Sequence, residues 1–299
     1  MIVSASRRTD VPALYPEWLA GRLAAGFAAV PHPFDPRRLR RVDLRPAPEG
    51  ELEALVLWTR NPSTLLAALP EWEARGVRTL WLVTITGYPR ALEPAAPSTE
   101  AAVAAVRALA RRVGPDRVAW RYDPVLVCPA AGLDGAWHRR NIRRLAAALD
   151  GSTRRCIVSL YDDYAKARRR LAAAGFVAPL ALDGADARAL EETLRLAADL
   201  AAETEALGIR MQSCCEELVG AAIGPGACID AALLAQVWGL SAARGRDPGQ
   251  RPACRCAPSV DLGVYDTCVH GCLYCYATGS PARAAARRAA HEPTSERLS

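Results

Sequence analysis

The sequence predicts an α/β fold in which parallel strands are surrounded by helices. Strand-like runs alternate with segments whose apolar residues recur every three or four positions, along most of the 299 residues. Polar residues concentrate where the strands end, which is typical of a barrel enzyme, because parallel α/β barrels form their active sites at the carboxyl ends of the strands. The length fits one such barrel or two smaller domains.

Seven strands are predicted, at residues 2–6, 55–59, 80–86, 118–127, 156–161, 209–213 and 260–265. Helical periodicity separates most of them, as at Val103, Val106 and Leu109. Ser98 and Asp134 are typical of helix starts. The polar groups at the strand ends include Arg7, Thr59, Thr84, Thr86, Arg121 and Asp123.

Composition narrows the class of protein. The formal net charge is +6, but only Lys166 among the 38 basic residues is lysine, and arginine is spread over every segment. A basic face at residues 37–41, 139–144 and 168–170 would suit nucleic acid. Arginine is enriched evenly along the whole sequence, however, and such a distribution does not favour a nucleic-acid partner. No apolar run suggests a membrane span. Ten cysteines without a signal peptide predict a reducing cytoplasm.

The most informative motif is the cysteine triplet Cys268, Cys272 and Cys275, with C-x3-C-x2-C spacing. Three thiolates on one tight loop can hold three irons of a 4Fe-4S cluster and leave the fourth iron open to a ligand. The alternative is a structural zinc site whose fourth ligand is His270 or a distant cysteine.

Tyr274 before the last cysteine, and the strand that precedes the loop, resemble the radical S-adenosylmethionine (SAM) superfamily, and YDTCVHGCLYCYA resembles its spore photoproduct lyase-like branch. The whole chain is similar to an uncharacterised bacterial family with a C-terminal cysteine cluster. Three further segments match that branch in order: Trp58-Thr59-Arg60-Asn61-Pro62, Val83-Thr84-Ile85-Thr86 followed by Glu93-Pro94 and Pro97, and Arg121-Tyr122-Asp123-Pro124.

The cluster strand comes last in this chain, whereas in the family it comes first. The resemblance therefore implies a radical SAM-type partial TIM barrel with outer helices, circularly permuted so that the cluster strand and loop are C-terminal. Residues 260–265 would lie beside residues 2–6 and close the sheet.

In that superfamily SAM chelates the open iron, and one electron cleaves it to methionine and a 5′-deoxyadenosyl radical. The resemblance implies a reductant such as flavodoxin or ferredoxin. Candidate contacts to SAM are Arg7, Thr84, Thr86 and Tyr274; the alternative for Tyr274 is one wall of the cluster's apolar shell. Arg121 and Asp123 are the candidate catalytic residues, because charges beside a buried strand need a partner or a function; the alternative is a structural ion pair.

Residues 211–258 form a cysteine-rich insertion between a barrel body at 1–210 and a final part at 259–299, which holds the last strand, the cluster loop and a C-terminal helix. Cys215, Cys228, Cys254 and Cys256 are the first choice for a second site, either an iron-sulfur cluster or zinc. The alternative is that they are packing residues, as predicted for Cys128 and Cys156. Glu216 and Glu217 are interpreted as a solvated helix start.

These observations predict a radical SAM-type 4Fe-4S enzyme acting on an unknown substrate. Two alternatives belong to other classes of protein. One is an iron-sulfur protein for electron transfer or redox sensing without SAM cleavage, and the other is a zinc-stabilised nucleic-acid-binding module. The polar groups at the strand ends favour the enzyme, because neither alternative needs a lined cavity.

Overall fold

A computed structural model describes residues 1–32, 35–176, 187–216, 218, 223–241 and 245–298, so that Glu217 falls outside it. Its strands are β1 (Ile2–Ala5), β2 (Phe27–His32), β3 (Asp35–Asp43), β4 (Ala54–Thr59), β5 (Thr79–Thr84), β6 (Val118–Val125), β7 (Arg155–Leu160), β8 (Arg210–Cys214), β9 (Gly224–Gly226) and β10 (Val260–Asp261). Eight of them form a parallel sheet in the order β10-β1-β4-β5-β6-β7-β8-β9. The α/β prediction is confirmed.

The helices are α1 (Val11–Leu14), α2 (Pro16–Ala25), α3 (Leu69–Ala74), α4 (Thr99–Val113), α5 (Gly135–Ala148), α6 (Ala165–Ala173), α7 (Ala187–Glu205), α8 (Ala231–Trp238) and α9 (Pro281–Ala290). Ser98 and Asp134 cap α4 and α5 as predicted, because each side chain accepts a hydrogen bond from a backbone N–H of the first turn. None of the helices in the described ranges is long and apolar enough to cross a membrane.

The two ends of the chain meet in the sheet. β10 pairs in parallel with β1, with Val3 opposite Val260 and Ser4 opposite Asp261, as predicted. The expected closure is wrong, however, because β10 and β9 are opposite edges of an open sheet in the described residues. β2 and β3 form a separate antiparallel hairpin, which the sequence did not predict.

Helices and one irregular segment cover the two faces of the sheet. Side chains alternate between the faces of a strand, so Leu55 and Leu57 join the core beneath the helices. Val56 and Trp58 point to the other face, where they cluster with Leu234 of α8 and with Cys254 and Cys256. The predicted cysteine-rich insertion therefore supplies β8 and β9 to the sheet and covers one of its faces.

Protonation of a buried histidine is expected to make stability depend on pH. His138 of α5 is fully buried, its Nε2 donates to the carbonyl of Leu126 (3.1 Å) and its Nδ1 accepts from the Tyr122 hydroxyl (2.8 Å). Burial lowers the pKa of His138 from 6.5 to about 4. The unfolded chain therefore binds a proton near pH 6.5, whereas the folded protein does so only near pH 4, and stability is lost as the pH falls between these values.

The loss is about 3 kcal/mol for this group, since one pKa unit corresponds to about 1.4 kcal/mol. Urea unfolding at pH 7 and pH 4 measures it, and His138→Gln provides the reference because glutamine does not titrate. We expect the wild type to lose more stability than the variant by this amount. If the wild type and His138→Gln lose the same unfolding free energy between pH 7 and pH 4, His138 has no such role.

Candidate functional site

A cavity of about 340 Å³ opens at the carboxyl ends of the strands. It is lined by residues after β1, by the last residues of β4, β5 and β7, by Arg121, Asp123 and Pro124 of β6, and by the loop at residues 262–280. This loop, here called the triplet loop, carries Cys268, Cys272 and Cys275. Polar groups at the strand ends were expected to line an active site, and Arg7, Thr59 and Asp123 do line this cavity together with Cys268. Thr84, Arg121 and Tyr274 line it as well. Their functional roles stay predictions.

Thr86 is the exception among the predicted strand-end residues. It lies beyond β5, lines an adjoining pocket of about 180 Å³ instead, and is almost fully buried. Its hydroxyl donates to the Glu93 carboxylate at 2.7 Å. The expectation that Thr86 lines the main cavity is therefore wrong, because its side chain holds a buried glutamate.

Contacts from several elements fix the triplet loop. The loop and residues 92–95 exchange backbone hydrogen bonds, from Leu273 N–H to the Leu92 carbonyl (3.0 Å) and from Ala95 N–H to the His270 carbonyl (3.1 Å). Arg170 of α6 donates to the carbonyls of Leu273 (3.1 Å), Cys275 and Thr278. The sequence indicated Arg170 only as part of a basic segment.

The three thiols of the triplet loop lie close enough for their charges to interact. Burial raises the pKa of Cys268 to about 12 and raises the pKa of Cys272 as well. The Ala277 N–H donates to Cys275 Sγ at 3.3 Å. Cys268 and Cys272 are therefore protonated at pH 7, and a metal that binds them must displace their protons.

A buried charged network adjoins Cys272. The Arg60 guanidinium forms two hydrogen bonds to the Glu93 carboxylate, at 2.9 and 3.1 Å, and a third to the Tyr274 hydroxyl at 2.6 Å. Tyr274 in turn donates to Glu93. Its ring meets Tyr88 edge-on at 5.8 Å between centroids. Tyr274 therefore connects an apolar wall to this polar network. The network includes Glu93, which belongs to the Glu93-Pro94 segment that resembles the radical SAM branch.

His270 has no free ring nitrogen for a zinc ion. Its Nε2 lies 2.8 Å from the Asp10 carboxylate, and its Nδ1 lies 3.2 Å from the Ala95 carbonyl. Asp10 also accepts the Arg60 N–H at 2.7 Å. His270 thus ties the triplet loop to the loops after β1 and β4, and this geometry does not support it as a fourth zinc ligand.

Arg121 and Asp123 form an ion pair on the cavity wall, and Asp123 also accepts a hydrogen bond from the Ser159 hydroxyl. Arg121 and Arg7 both stack on the Trp58 ring, with guanidinium carbons 4.8 and 5.2 Å from its centroid. Trp58 Nε1 and Arg121 Nε are buried and have no hydrogen-bond partner among the described residues. Trp58 and Arg121 therefore present donors that a bound acceptor would satisfy.

Five more cysteines line the same cavity: Cys214, Cys215, Cys228, Cys254 and Cys256. Cys214 Sγ lies 3.4 Å from Cys228 Sγ, although the sequence did not place Cys214 among the first-choice ligands. Within the part of the chain that is described, no group of three or more His, Cys, Asp or Glu side chains is arranged so that it could hold a metal ion. Cys128 and Cys156 are fully buried in other apolar clusters, as predicted.

Glu216 does not start a helix. It follows β8 in an irregular segment, and its carboxylate accepts the Leu160 N–H at 2.8 and 3.0 Å. Burial raises the pKa of Glu216 to about 8. The predicted solvated helix start is therefore wrong, since this carboxylate binds the backbone at the end of β7.

Some arginines of the basic segments have acidic partners. Arg139 and Arg143 of α5 form ion pairs with Asp199 and Glu203 of α7, and Arg168 pairs with Asp163. These carboxylates offset the positive charge locally. The basic segments therefore give no added support to a nucleic-acid partner.

The triplet loop leaves β10 through a close approach to β1. An ideal Cβ on Gly263 would lie 1.7 Å from Ser6 Oγ and 2.6 Å from Ser6 Cβ. Gly263→Ala is therefore expected to destabilise the fold by about 3 kcal/mol through overpacking. Urea unfolding measures this change, with Gly224→Ala as the control because no atom lies within 4 Å of that added Cβ. Equal stabilities of the two variants would contradict the contact.

Comparisons with known proteins add one finding. A family model described as a domain of unknown function (DUF1848) matches residues 2–277. The match includes all eight strands of the sheet and the three cysteines of the triplet loop. No curated protein and no solved structure matches the chain.

Proposed function

We propose that this chain, which belongs to the DUF1848 family, is a radical SAM-type enzyme with a 4Fe-4S cluster on Cys268, Cys272 and Cys275. The supporting observation is the position of the C-x3-C-x2-C loop, which is anchored at the carboxyl ends of a parallel sheet and faces a ligand-sized cavity. In this proposal the open sheet is a partial barrel. The β10–β1 pairing supports the circularly permuted order.

The residues present fit such a cluster. The thiolates of a 4Fe-4S cluster bind different irons, so the three sulfurs need not converge on one point. When bound, a cluster with an open iron supplies a site for the amine and carboxylate of SAM and an electron for cleavage of the sulfonium. The Arg60 guanidinium next to Cys272 offsets the negative charge of the thiolates.

The cavity wall fits a polar ligand. Trp58 Nε1 and Arg121 Nε are buried donors without partners in the structure, and both belong to residues that line the cavity. Leaving such donors unsatisfied costs about 1–3 kcal/mol each, so a ligand with oxygen or nitrogen acceptors gains by binding there. Arg7 and Arg121 carry the positive charge, and the Asp123 carboxylate holds Arg121 in place.

The proposed roles follow from these positions. Arg7, Thr84 and Tyr274 contact SAM, and Thr86 supports them only through Glu93. Arg121 and Asp123 orient the substrate and exclude water from the reacting groups. A flavodoxin or ferredoxin in a reducing cytoplasm would supply the electron.

The test of this proposal is the metal content and spin-resonance spectrum of protein purified without oxygen. We expect iron and sulfide in the wild type, and a low-temperature signal of the reduced protein that changes when SAM is added. Cys272→Ala should lose the SAM-sensitive signal, whereas Cys128→Ala, which changes a buried cysteine outside the cavity, should keep it. A signal that SAM leaves unchanged would favour electron transfer or redox sensing, and zinc in place of iron would favour the zinc-stabilised module.

A further inference from the structure

Three separate parts of the chain bring five cysteines together on the wall of the cavity. Cys214 and Cys215 lie at the end of β8, Cys228 follows β9, and Cys254 and Cys256 belong to the segment before β10. This set is called the five-cysteine group. It is distinct from the triplet loop, and no step of the proposed function uses it.

The five thiols form a closed ring of contacts. Cys214 Sγ lies 3.4 Å from Cys228 Sγ. The thiols of Cys228 and Cys256 interact with each other, as do those of Cys256 and Cys254. The ring continues from Cys254 to Cys215 and from Cys215 back to Cys214. Each thiol therefore has two thiol neighbours, an arrangement that packing alone does not require.

Positive charge surrounds this ring. Arg7 and Arg155 act on Cys228 and Cys256, and Arg251 acts on Cys215. Arg7 Nη2, Arg121 Nε and Arg155 Nη1 are buried donors that have no hydrogen-bond partner within the described part of the chain. Metal-bound thiolates carry negative charge, so an anionic metal centre on this ring would accept hydrogen bonds from these donors.

We infer that the five-cysteine group is a second metal site, which binds a thiophilic metal through four thiolates. Sulfur ligands select zinc or the iron of an iron-sulfur cluster, and the ring contains no imidazole or carboxylate. Cys228, Cys254 and Cys256 are the most buried members, at 1–3% exposed. One of the adjacent residues Cys214 and Cys215 completes the set, and the other remains a free thiol.

Metal loading replaces the S–H···S contacts with metal–sulfur bonds. Each ligand thiol releases its proton to solvent, and no electron is transferred. The thiols must therefore turn from their mutual contacts towards the metal. The site shares its cavity with the triplet, so its metal would adjoin the ligand bound there.

The test uses the full chain with Cys268, Cys272 and Cys275 all changed to Ala, which removes the triplet and separates this inference from the proposed function. Metal and sulfide are measured after purification without oxygen, and far-UV circular dichroism verifies the fold. We expect one centre to remain, with iron and sulfide indicating a cluster and zinc alone indicating a single ion. Adding Cys228→Ser or Cys256→Ser should remove it, whereas adding Cys128→Ser should not.

A second measurement covers the case in which the triplet variant does not fold. Cys256→Ser in the otherwise unchanged chain should lower the total metal content and leave the SAM-sensitive signal of the triplet intact. The inference is overturned if the folded triplet variant binds no metal, or if its metal survives both serine substitutions. A Cys214–Cys228 disulfide in freshly purified protein, found by mass spectrometry with no metal present, would also overturn it.

Discussion

Glu93→Gln is expected to destabilise the protein by about 3–5 kcal/mol, because it leaves a buried arginine without its counter-charge. The side chains of Arg60 and Glu93 are 12% and 6% exposed, and they are joined by two hydrogen bonds. Glu93 also accepts from Thr86 and Tyr274, so one substitution weakens four contacts. Urea unfolding of the purified protein measures the change.

The exposed pair of Arg188 and Glu192 on α7 is the matched control. Glu192→Gln should change stability by about 0.5 kcal/mol or less, because solvent screens an exposed pair. The double variant Arg60→Gln with Glu93→Gln should be less destabilised than the sum of the single variants, since it removes both charges. Equal effects of Glu93→Gln and Glu192→Gln would refute the buried network.

Arg170→Met should free the triplet loop, with a loss of about 3 kcal/mol from charge-assisted hydrogen bonds to its carbonyls. The guanidinium donates to three carbonyls of that loop, two of which belong to Leu273 and Cys275. We therefore expect lower stability, faster hydrogen exchange of the loop amides and less iron retained after desalting. Methionine keeps the apolar stem but has no donor.

Arg168→Met is the control for this prediction, because Arg168 lies on the same helix and forms an exposed pair with Asp163. It should leave stability, loop exchange and iron retention near the wild-type values. The role of Arg170 in holding the triplet loop is disproved if both variants behave alike. It is also disproved if Arg170→Met changes stability without changing hydrogen exchange of the triplet-loop amides.

Much of the sheet could be predicted from the sequence, because its strands are short apolar runs bounded by turns and polar groups. β4 and β5 are buried almost throughout, and their limits differ from the prediction by one or two residues. The hairpin was missed because β3 carries several arginines and its partner β2 is short and alanine-containing. α8 ends at Trp238, because Gly239 takes a left-handed conformation (φ 66°) that terminates the helix.

The site was predictable only where spacing carries the information. The triplet has such spacing, and so its place beside the strand ends could be expected. Arg170 lies within a run of three arginines, where local sequence does not tell which side chain reaches the triplet loop. Cys214 depends on a tertiary contact, because its thiol neighbour Cys228 follows another strand, β9.

Measurement of 5′-deoxyadenosine by mass spectrometry, after anaerobic reduction with dithionite in the presence of SAM, tests the proposed enzyme most directly. We expect 5′-deoxyadenosine and methionine from the wild type and none from Cys272→Ala, whose triplet is incomplete. An intact cluster that forms no 5′-deoxyadenosine under any reductant would contradict the proposed enzyme.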